Sequence, residues 1–120
     1  MDARNFLELY GKAWERRDAD LAASLFADDA TYQETPFAEP LLGRDAIRAY
    51  WENATCTQQG IDFLVREPIV RGNLLVAEWG CRYTHVPTGQ RRELRGVLLA
   101  ELAGETVHAF REYWHRRELS

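Results

Sequence analysis

The sequence contains little that points to a metal, a nucleotide, nucleic acid or a membrane. It has only two cysteines, Cys56 and Cys81, which are far apart and belong to no CxxC or His/Cys cluster. Its histidines, His85, His108 and His115, are not at the spacing of metal ligands. No GxGxxG or P-loop segment is present, so no nucleotide cofactor is implied. We therefore expect a protein that uses neither a metal nor a cofactor.

Charge and hydropathy argue against two further partners. The net charge of -4 is mild and scattered, and no basic stripe could neutralise a run of phosphates, so no nucleic-acid partner is expected. No apolar run approaches the roughly 18 residues that span a membrane, and the N-terminus has no signal-peptide core. We predict a soluble, cytoplasmic protein with two free thiols; a disulfide is the alternative.

Aromatic residues are plentiful by contrast. Four Trp, five Tyr and five Phe occur within 120 residues. Large aromatic side chains line pockets as well as fill cores, so the composition favours a protein with an internal cavity. The length suits a single domain with a substantial core, and no linker or repeat divides the chain. The expected domain spans residues 1–120.

Hydrophobic periodicity predicts three helices in the first half. The first has a face at helical spacing that consists of Phe6, Tyr10, Ala13, Trp14 and Arg17. Asp18 is expected to cap a second helix that ends at Phe26. A turn at residues 27–29 and an extended run at 30–35 follow, and the third helix starts after Gly43. The buried face of the third helix is predicted to consist of Ile47, Tyr50, Trp51 and Ala54.

The second half is typical of β-structure. Strands are predicted at residues 61–70, 74–86, 93–102 and 106–114, joined by short turns that contain glycine. Short connections between consecutive strands indicate an antiparallel meander. Three helices followed by such a sheet is an α+β architecture in which the helices pack on one face of the sheet.

Side chains alternate between the two faces of each extended segment, and this alternation places two possible proton-transfer groups beside aromatic residues. Glu34 shares a face with Tyr32. It is either a surface residue at a strand end or a carboxylate inside an apolar pocket, where desolvation suits it to proton transfer. His85 shares a face with Trp79, Cys81 and Tyr83; it is either a proton-transfer group at a pocket mouth or a polar surface residue.

Three segments carry a family resemblance. LFADDATY, LLGRDAIRAYW and FREYW occur in the order found in SnoaL-like and ketosteroid-isomerase-like proteins of the nuclear transport factor 2-like superfamily, which the whole chain resembles. The resemblance implies a cone-shaped fold, in which the helices pack in a strongly curved mixed or antiparallel sheet that encloses a pocket. The superfamily includes isomerases, cyclases, dehydratases, epoxide hydrolases and non-enzymatic binding modules, so function has to be argued from the site.

The resemblance also implies roles for particular residues. The oxyanion-hole tyrosine of the ketosteroid isomerases falls at Tyr10, and their catalytic base falls at Glu34. Their second oxyanion-hole group, an aspartic acid, falls at or next to Leu98, where this chain has no acid. Pocket-facing positions of the last strand match Phe110, Glu112 and Trp114, so Glu112 is either a second acid in the pocket or a charge held by an arginine.

We expect a cofactor-independent isomerase, cyclase, dehydratase or hydrolase that acts on a hydrophobic carbonyl compound. Glu34 is the expected base and Tyr10 the donor to the enolate oxygen, with Glu112 or His85 as the second proton-transfer group. The expected pocket wall consists of Trp14, Tyr32, Phe37, Tyr50, Trp51, Trp79, Tyr83, Leu98, Phe110 and Trp114. A non-catalytic ligand-binding or assembly module on the same fold is the alternative. A mixed-charge outer face of the sheet and the family habit predict a homodimer.

Overall fold

The computed structural model describes residues 1–119. Its helices are α1 Ala3–Glu15, α2 Ala19–Ser24 and α3 Arg44–Thr55. The strands are β1 Phe26–Gln33, β2 Leu41–Leu42, β3 Gln58–Val65, β4 Ile69–Arg71, β5 Leu74–His85, β6 Gln90–Ala103 and β7 Thr106–Leu119. No helix within these residues is long and apolar enough to cross a membrane. The predicted α+β class is confirmed.

Aspartate side chains cap the first two helices. Asp2 and Asp18 each accept a hydrogen bond from the backbone N–H three residues later, at 2.8 and 2.9 Å. The predicted cap at Asp18 is therefore confirmed. Arg17, which was predicted on the apolar face of α1, lies beyond the helix end and is exposed. Its φ of 54° belongs to the left-handed region, which reverses the chain between α1 and α2.

The strands form one curved, open mixed sheet in the order β2-β1-β7-β6-β5-β3, with β4 also paired to β5. The predicted meander is present, since β5, β6 and β7 pair antiparallel in sequence order. However, β1 runs parallel to β7, which makes the sheet mixed. Buried residues of the three helices pack on the inner face of this sheet and form one hydrophobic core with it.

Several predicted boundaries are wrong. Residues 26–29 belong to β1 and not to a helix end and turn, and a register shift between Phe26 and Thr31 accommodates them as an irregularity in the ladder. The strand predicted at 61–70 is two strands, because Pro68 lies between them and has no N–H to donate. β7 continues to Leu119, beyond the predicted end at residue 114.

A bulge in β7 changes the expected alternation at its start. Glu101 pairs with Ala109 and Leu102 with Val107, so His108 is the extra residue that has no partner. Val107 is therefore buried and His108 exposed, whereas strict alternation back from the pocket-facing position Phe110 would place His108 on the inner face. Beyond the bulge the predicted parity holds, and Glu112 lies on the inner face.

The outer face of the sheet carries an ion-pair cluster centred on Glu93. The arginines Arg82, Arg95 and Arg117 lie 3.1, 3.4 and 2.6 Å from its carboxylate oxygens. Hydrogen bonds from Arg117 and then Arg82 lower the pKa of Glu93 to about 2. The mixed-charge outer face that the sequence predicts thus carries cross-strand ion pairs. Arg95 faces outward here and does not reach the interior.

Candidate active site

A cavity of about 310 Å³ lies between α1, α3 and the inner face of β5–β7. The residues that line it are Tyr10, Trp14, Tyr32, Glu34, Tyr50, Trp51, Ala54, Thr55, Gln58, Trp79, Tyr83, Leu94, Glu112 and Trp114. All four tryptophans of the chain are among them. The wall is therefore mainly aromatic, and its two carboxyl groups are the features that demand a chemical explanation.

Tyr10 and Glu112 form a buried polar pair in this cavity. α1 presents Tyr10 towards the sheet, where its ring stacks on Phe110 at 5.7 Å, and the residue is 1% exposed. Its hydroxyl donates to Oε2 of Glu112 at 3.4 Å. Glu112 is 6% exposed, and no arginine or lysine within residues 1–119 forms an ion pair with it. The alternative of an arginine-locked charge therefore does not apply to it.

The surroundings of Glu112 favour its neutral form. Burial, followed by the negative charge of Glu34, raises the pKa of Glu112 to about 8. Hydrogen bonding from Tyr10 and Tyr32 acts in the opposite direction but does not offset these effects. At neutral pH Glu112 is therefore mostly a carboxylic acid, which is able to donate a hydrogen bond.

Glu34 is the second carboxyl group of the cavity. It follows β1 directly and is half-buried in the wall, so it combines access to solvent with access to the cavity. Its backbone carbonyl accepts a hydrogen bond of 2.7 Å from Nε1 of Trp114 on β7, which holds this end of β1 against the sheet. Its charge also raises the pKa of Tyr50, after burial and the charge of Glu112. Both carboxyl groups thus act on the same part of the cavity.

The tyrosines of the cavity are hydrogen-bond donors at neutral pH. Burial raises the pKa of Tyr10, Tyr32 and Tyr50 above the ordinary phenol value, so all three keep their protons. Tyr32 stacks on Phe110 at 4.6 Å and lies 5.4 Å from the ring of Tyr50. These contacts fix the rings, and the hydroxyl groups are left to act on the polar atoms nearby.

The other end of the cavity is formed by indoles around a single amide. Nε1 of Trp14 donates to Oε1 of Gln58 at 2.8 Å. The rings of Trp51 and Trp79 lie 6.0 and 5.4 Å from the ring of Trp14. Neither Nε1 of Trp51 nor that of Trp79 has a hydrogen-bond acceptor among the residues that the structure describes. This end is rich in donors.

Four predicted site residues lie outside the cavity wall. Phe37 is 99% exposed on the loop before β2, because the strand ends at Gln33 and the chain then turns away from the core. His85 is at the end of β5, where its Nδ1 contacts the Thr88 hydroxyl at 3.0 Å. Leu98 and Phe110 are buried, but they belong to the hydrophobic core and not to the cavity wall. The remaining predicted residues are all in the wall.

Three wall residues, Gln58, Thr55 and Leu94, were not predicted from the sequence, and Ala54 was predicted on a helix face but not in the site. The polar run Gln58-Gln59-Gly60 is typical of a turn that ends the third helix, whereas Gln58 is the first residue of β3 and is 8% exposed. Its local sequence contains no signal for burial. Leu94 could have been found from the alternation of β6.

Within residues 1–119, no group of three or more His, Cys, Asp and Glu side chains could hold a metal.

Comparisons with known proteins agree with the fold. One solved structure of the same fold is a ketosteroid isomerase from Mycobacterium sp., with a TM-score of 0.80, 15% identity and 97% of each chain covered. The epoxide hydrolase/cyclase-like enzyme SalBIII matches with a TM-score of 0.81 and 17% identity over 93% of this chain and 89% of that one. A hypothetical protein from Catenulispora acidiphila, in complex with trimethylamine, matches with a TM-score of 0.81 and 16% identity over 90% of this chain and 83% of that one. A search of curated proteins finds no match. The profile of the SnoaL-like domain matches residues 4–109. The chain therefore belongs to the SnoaL-like domain family.

Proposed function

We propose that this protein is a cofactor-independent isomerase, or a related cyclase, dehydratase or hydrolase, acting on a hydrophobic compound that carries a carbonyl group. One observation carries the proposal: a single aromatic cavity holds the half-buried carboxylate of Glu34 and the buried carboxyl of Glu112 that Tyr10 contacts. The structural neighbours include an isomerase and an epoxide hydrolase/cyclase-like enzyme, which supports this range of chemistry.

The two carboxyl groups have different roles in this proposal. Glu34 removes a proton from the carbon next to the carbonyl and returns it to another carbon of the conjugated system, so that no net proton is lost. Glu112, which is neutral at pH 7, and Tyr10 donate to the oxygen on which negative charge develops. The aromatic wall excludes water, which strengthens these interactions. Pairs of titratable groups with separated pKa values are typical of acid–base sites.

A substitution at Glu34 tests the proposal directly. Glu34→Gln keeps the size of the side chain and removes its charge, so kcat/KM on a panel of cyclic enones and epoxides should fall by about 10²-fold or more. Glu39→Gln is the matched control, because Glu39 is exposed on the loop that follows Glu34 and lies outside the cavity. Equal turnover by Glu34→Gln and the wild type would exclude Glu34 as the base.

A non-catalytic binding protein is the second candidate. Aromatic faces with a carboxylate at their edge attract alkylammonium ions, and Trp14, Trp51, Trp79 and Trp114 together with Glu34 provide both. A neighbour of the same fold was solved in complex with trimethylamine. Saturable quenching of tryptophan fluorescence by trimethylamine, combined with no turnover of the panel, would favour this function over catalysis.

We further propose that the protein forms a homodimer through the outer face of its sheet. This face combines exposed apolar side chains, including Leu64 and Tyr113 at 70% and 46% exposure, with the mixed charges around Glu93. A biological interface should bury at least about 1,000 Å² in total. Light scattering at micromolar concentration should return twice the 13.9 kDa of one chain, and a monomer mass would exclude the dimer.

A further inference from the structure

From the geometry around Gln58 we infer that this residue is a ligand-anchoring group, which donates from its carboxamide NH₂ to a second oxygen of the substrate. The inference rests on the proposed function and narrows it. It assigns the substrate to compounds with two oxygen functions, one held at Glu112 and Tyr10 and the other at Gln58.

The orientation of the Gln58 amide follows from its partner. An indole Nε1 is only a donor, so the atom of Gln58 that lies 2.8 Å from Trp14 must be its carbonyl oxygen. The NH₂ group is then the free end of the amide. It has no acceptor among residues 1–119, although the residue is 8% exposed and lines the cavity. The NH₂ nitrogen is not among the fully buried side-chain atoms that lack a partner, so it keeps accessible surface and can meet an acceptor on a ligand in the cavity.

The neighbours of Gln58 make this end of the cavity a place for an oxygen. Trp51 and Trp79 are 4% and 3% exposed, and neither indole N–H has an acceptor in the described part of the chain. Both indole N–H groups are fully buried, whereas the Gln58 NH₂ keeps accessible surface, so a ligand can reach the amide and not these two indole N–H groups. The hydroxyl of Thr55, another wall residue, already donates to the Trp51 carbonyl at 2.7 Å. A ligand that carries an acceptor therefore complements the free NH₂ of Gln58.

The two polar ends are held at a defined separation. Tyr10 contacts Glu112, and Trp14 contacts Gln58; these residues lie on successive turns of α1. Four residues of an α-helix correspond to a rise of about 6 Å. The two substrate oxygens should therefore be separated by several ångströms, as carbonyl groups on the two rings of a fused bicyclic compound are.

Matched ligands test the inference. 2-Decalone carries one carbonyl, and decalin-2,6-dione carries a second one on the other ring. Binding of each is measured from quenching of intrinsic fluorescence, since every tryptophan of the chain lines the cavity. The wild type should bind the dione about five- to tenfold more tightly than the monoketone, the usual worth of one neutral hydrogen bond.

Two variants distinguish ligand anchoring from a structural role. Gln58→Glu keeps an oxygen for Trp14 but replaces the NH₂ donor with an acceptor, and Gln58→Leu removes both functions. Both variants should lose the preference for the dione. If Gln58 has only a structural role, its substitution should weaken the binding of both ketones equally. The inference is wrong if either folded variant still binds the dione more tightly than the monoketone. It is also wrong if the wild type binds 2-decalone but has no preference for the dione. Neither outcome contradicts the proposed function. If neither ketone binds the wild type, the inference fails as well, and the proposed function then depends on turnover of the enone and epoxide panel.

Discussion

Glu112 on β7 lies directly opposite Leu98 on β6 in the antiparallel ladder. Side chains of such a pair project from the same face of the sheet, with Cβ atoms roughly 4.5–5.5 Å apart. Resemblance to the ketosteroid isomerases places an aspartic acid at or next to Leu98, and this chain has its buried acid across the ladder instead. The two positions differ in this chain, because Glu112 lines the cavity and Leu98 belongs to the hydrophobic core.

Stability should depend on pH through Glu112. Its folded pKa of about 8 exceeds the ordinary glutamate value of about 4.3, so the folded state binds the extra proton between these values. The free energy of unfolding should therefore fall as the pH rises from about 4.3 to about 8. Glu112→Gln cannot titrate and should lose this part of the pH dependence. Urea denaturation of both proteins at pH 5, 7 and 9 measures the difference. If the free energy of unfolding changes with pH in the same way in both proteins, Glu112 is not a buried neutral acid.

Tyr10→Phe should separate chemistry from packing. The ring keeps its contacts with Phe6 and Phe110, so the melting temperature should change little. Loss of the hydroxyl removes a donor and should lower kcat by about 10²-fold. It also removes a hydrogen bond that lowers the pKa of Glu112, so the alkaline limb of the activity profile should move to higher pH. Tyr113→Phe, on the outer face, is the control. If the alkaline limb of the Tyr10→Phe profile stays at the wild-type pH, the Tyr10 hydroxyl does not affect the pKa of Glu112.

Gly96 should be intolerant of any side chain. A Cβ at this position would lie 2.5 Å from the Tyr113 carbonyl, 2.8 Å from Cβ of Trp114 and 2.9 Å from Cζ2 of Trp79. Gly96→Ala should cost about 1–3 kcal/mol in the free energy of unfolding and displace two indoles of the cavity wall, which would shift the fluorescence emission. Gly80→Ala is the matched control, because its nearest neighbour is 3.7 Å away. Equal effects of the two substitutions would show that crowding is not the cause.

Glu93→Gln should destabilise the outer face in a pH-dependent way. The arginines that hold the pKa of Glu93 at about 2 stabilise the fold above the ordinary value of about 4.3, and this contribution is lost as the pH falls towards 2. The variant should therefore melt at a lower temperature than the wild type at pH 7, and the difference should shrink in acid. Glu78→Gln, which removes an exposed pair with Arg66, should have a smaller effect. A difference that stays constant with pH would contradict this account.

Local sequence determined the elements and much of the site. The period of the first helix placed Tyr10 and Trp14 on one buried face, and the alternation of β5 placed Trp79 and Tyr83 on another. These predictions succeeded because burial of an apolar stripe is a property of each element by itself. The caps and turns succeeded for the same reason, since a side chain such as Asp18 satisfies backbone groups only a few residues away.

Only the tertiary structure decided the chemistry of the polar groups. Tyr10 and Glu112 are 102 residues apart in sequence, so neither segment reveals that they meet or that Glu112 is desolvated there. Gln58 looked like a turn residue until its amide was found against Trp14. Phe37 looked like a wall residue, but the loop carries it into solvent. Protonation, amide orientation and exposure depend on groups brought together by folding, and a local pattern contains none of them.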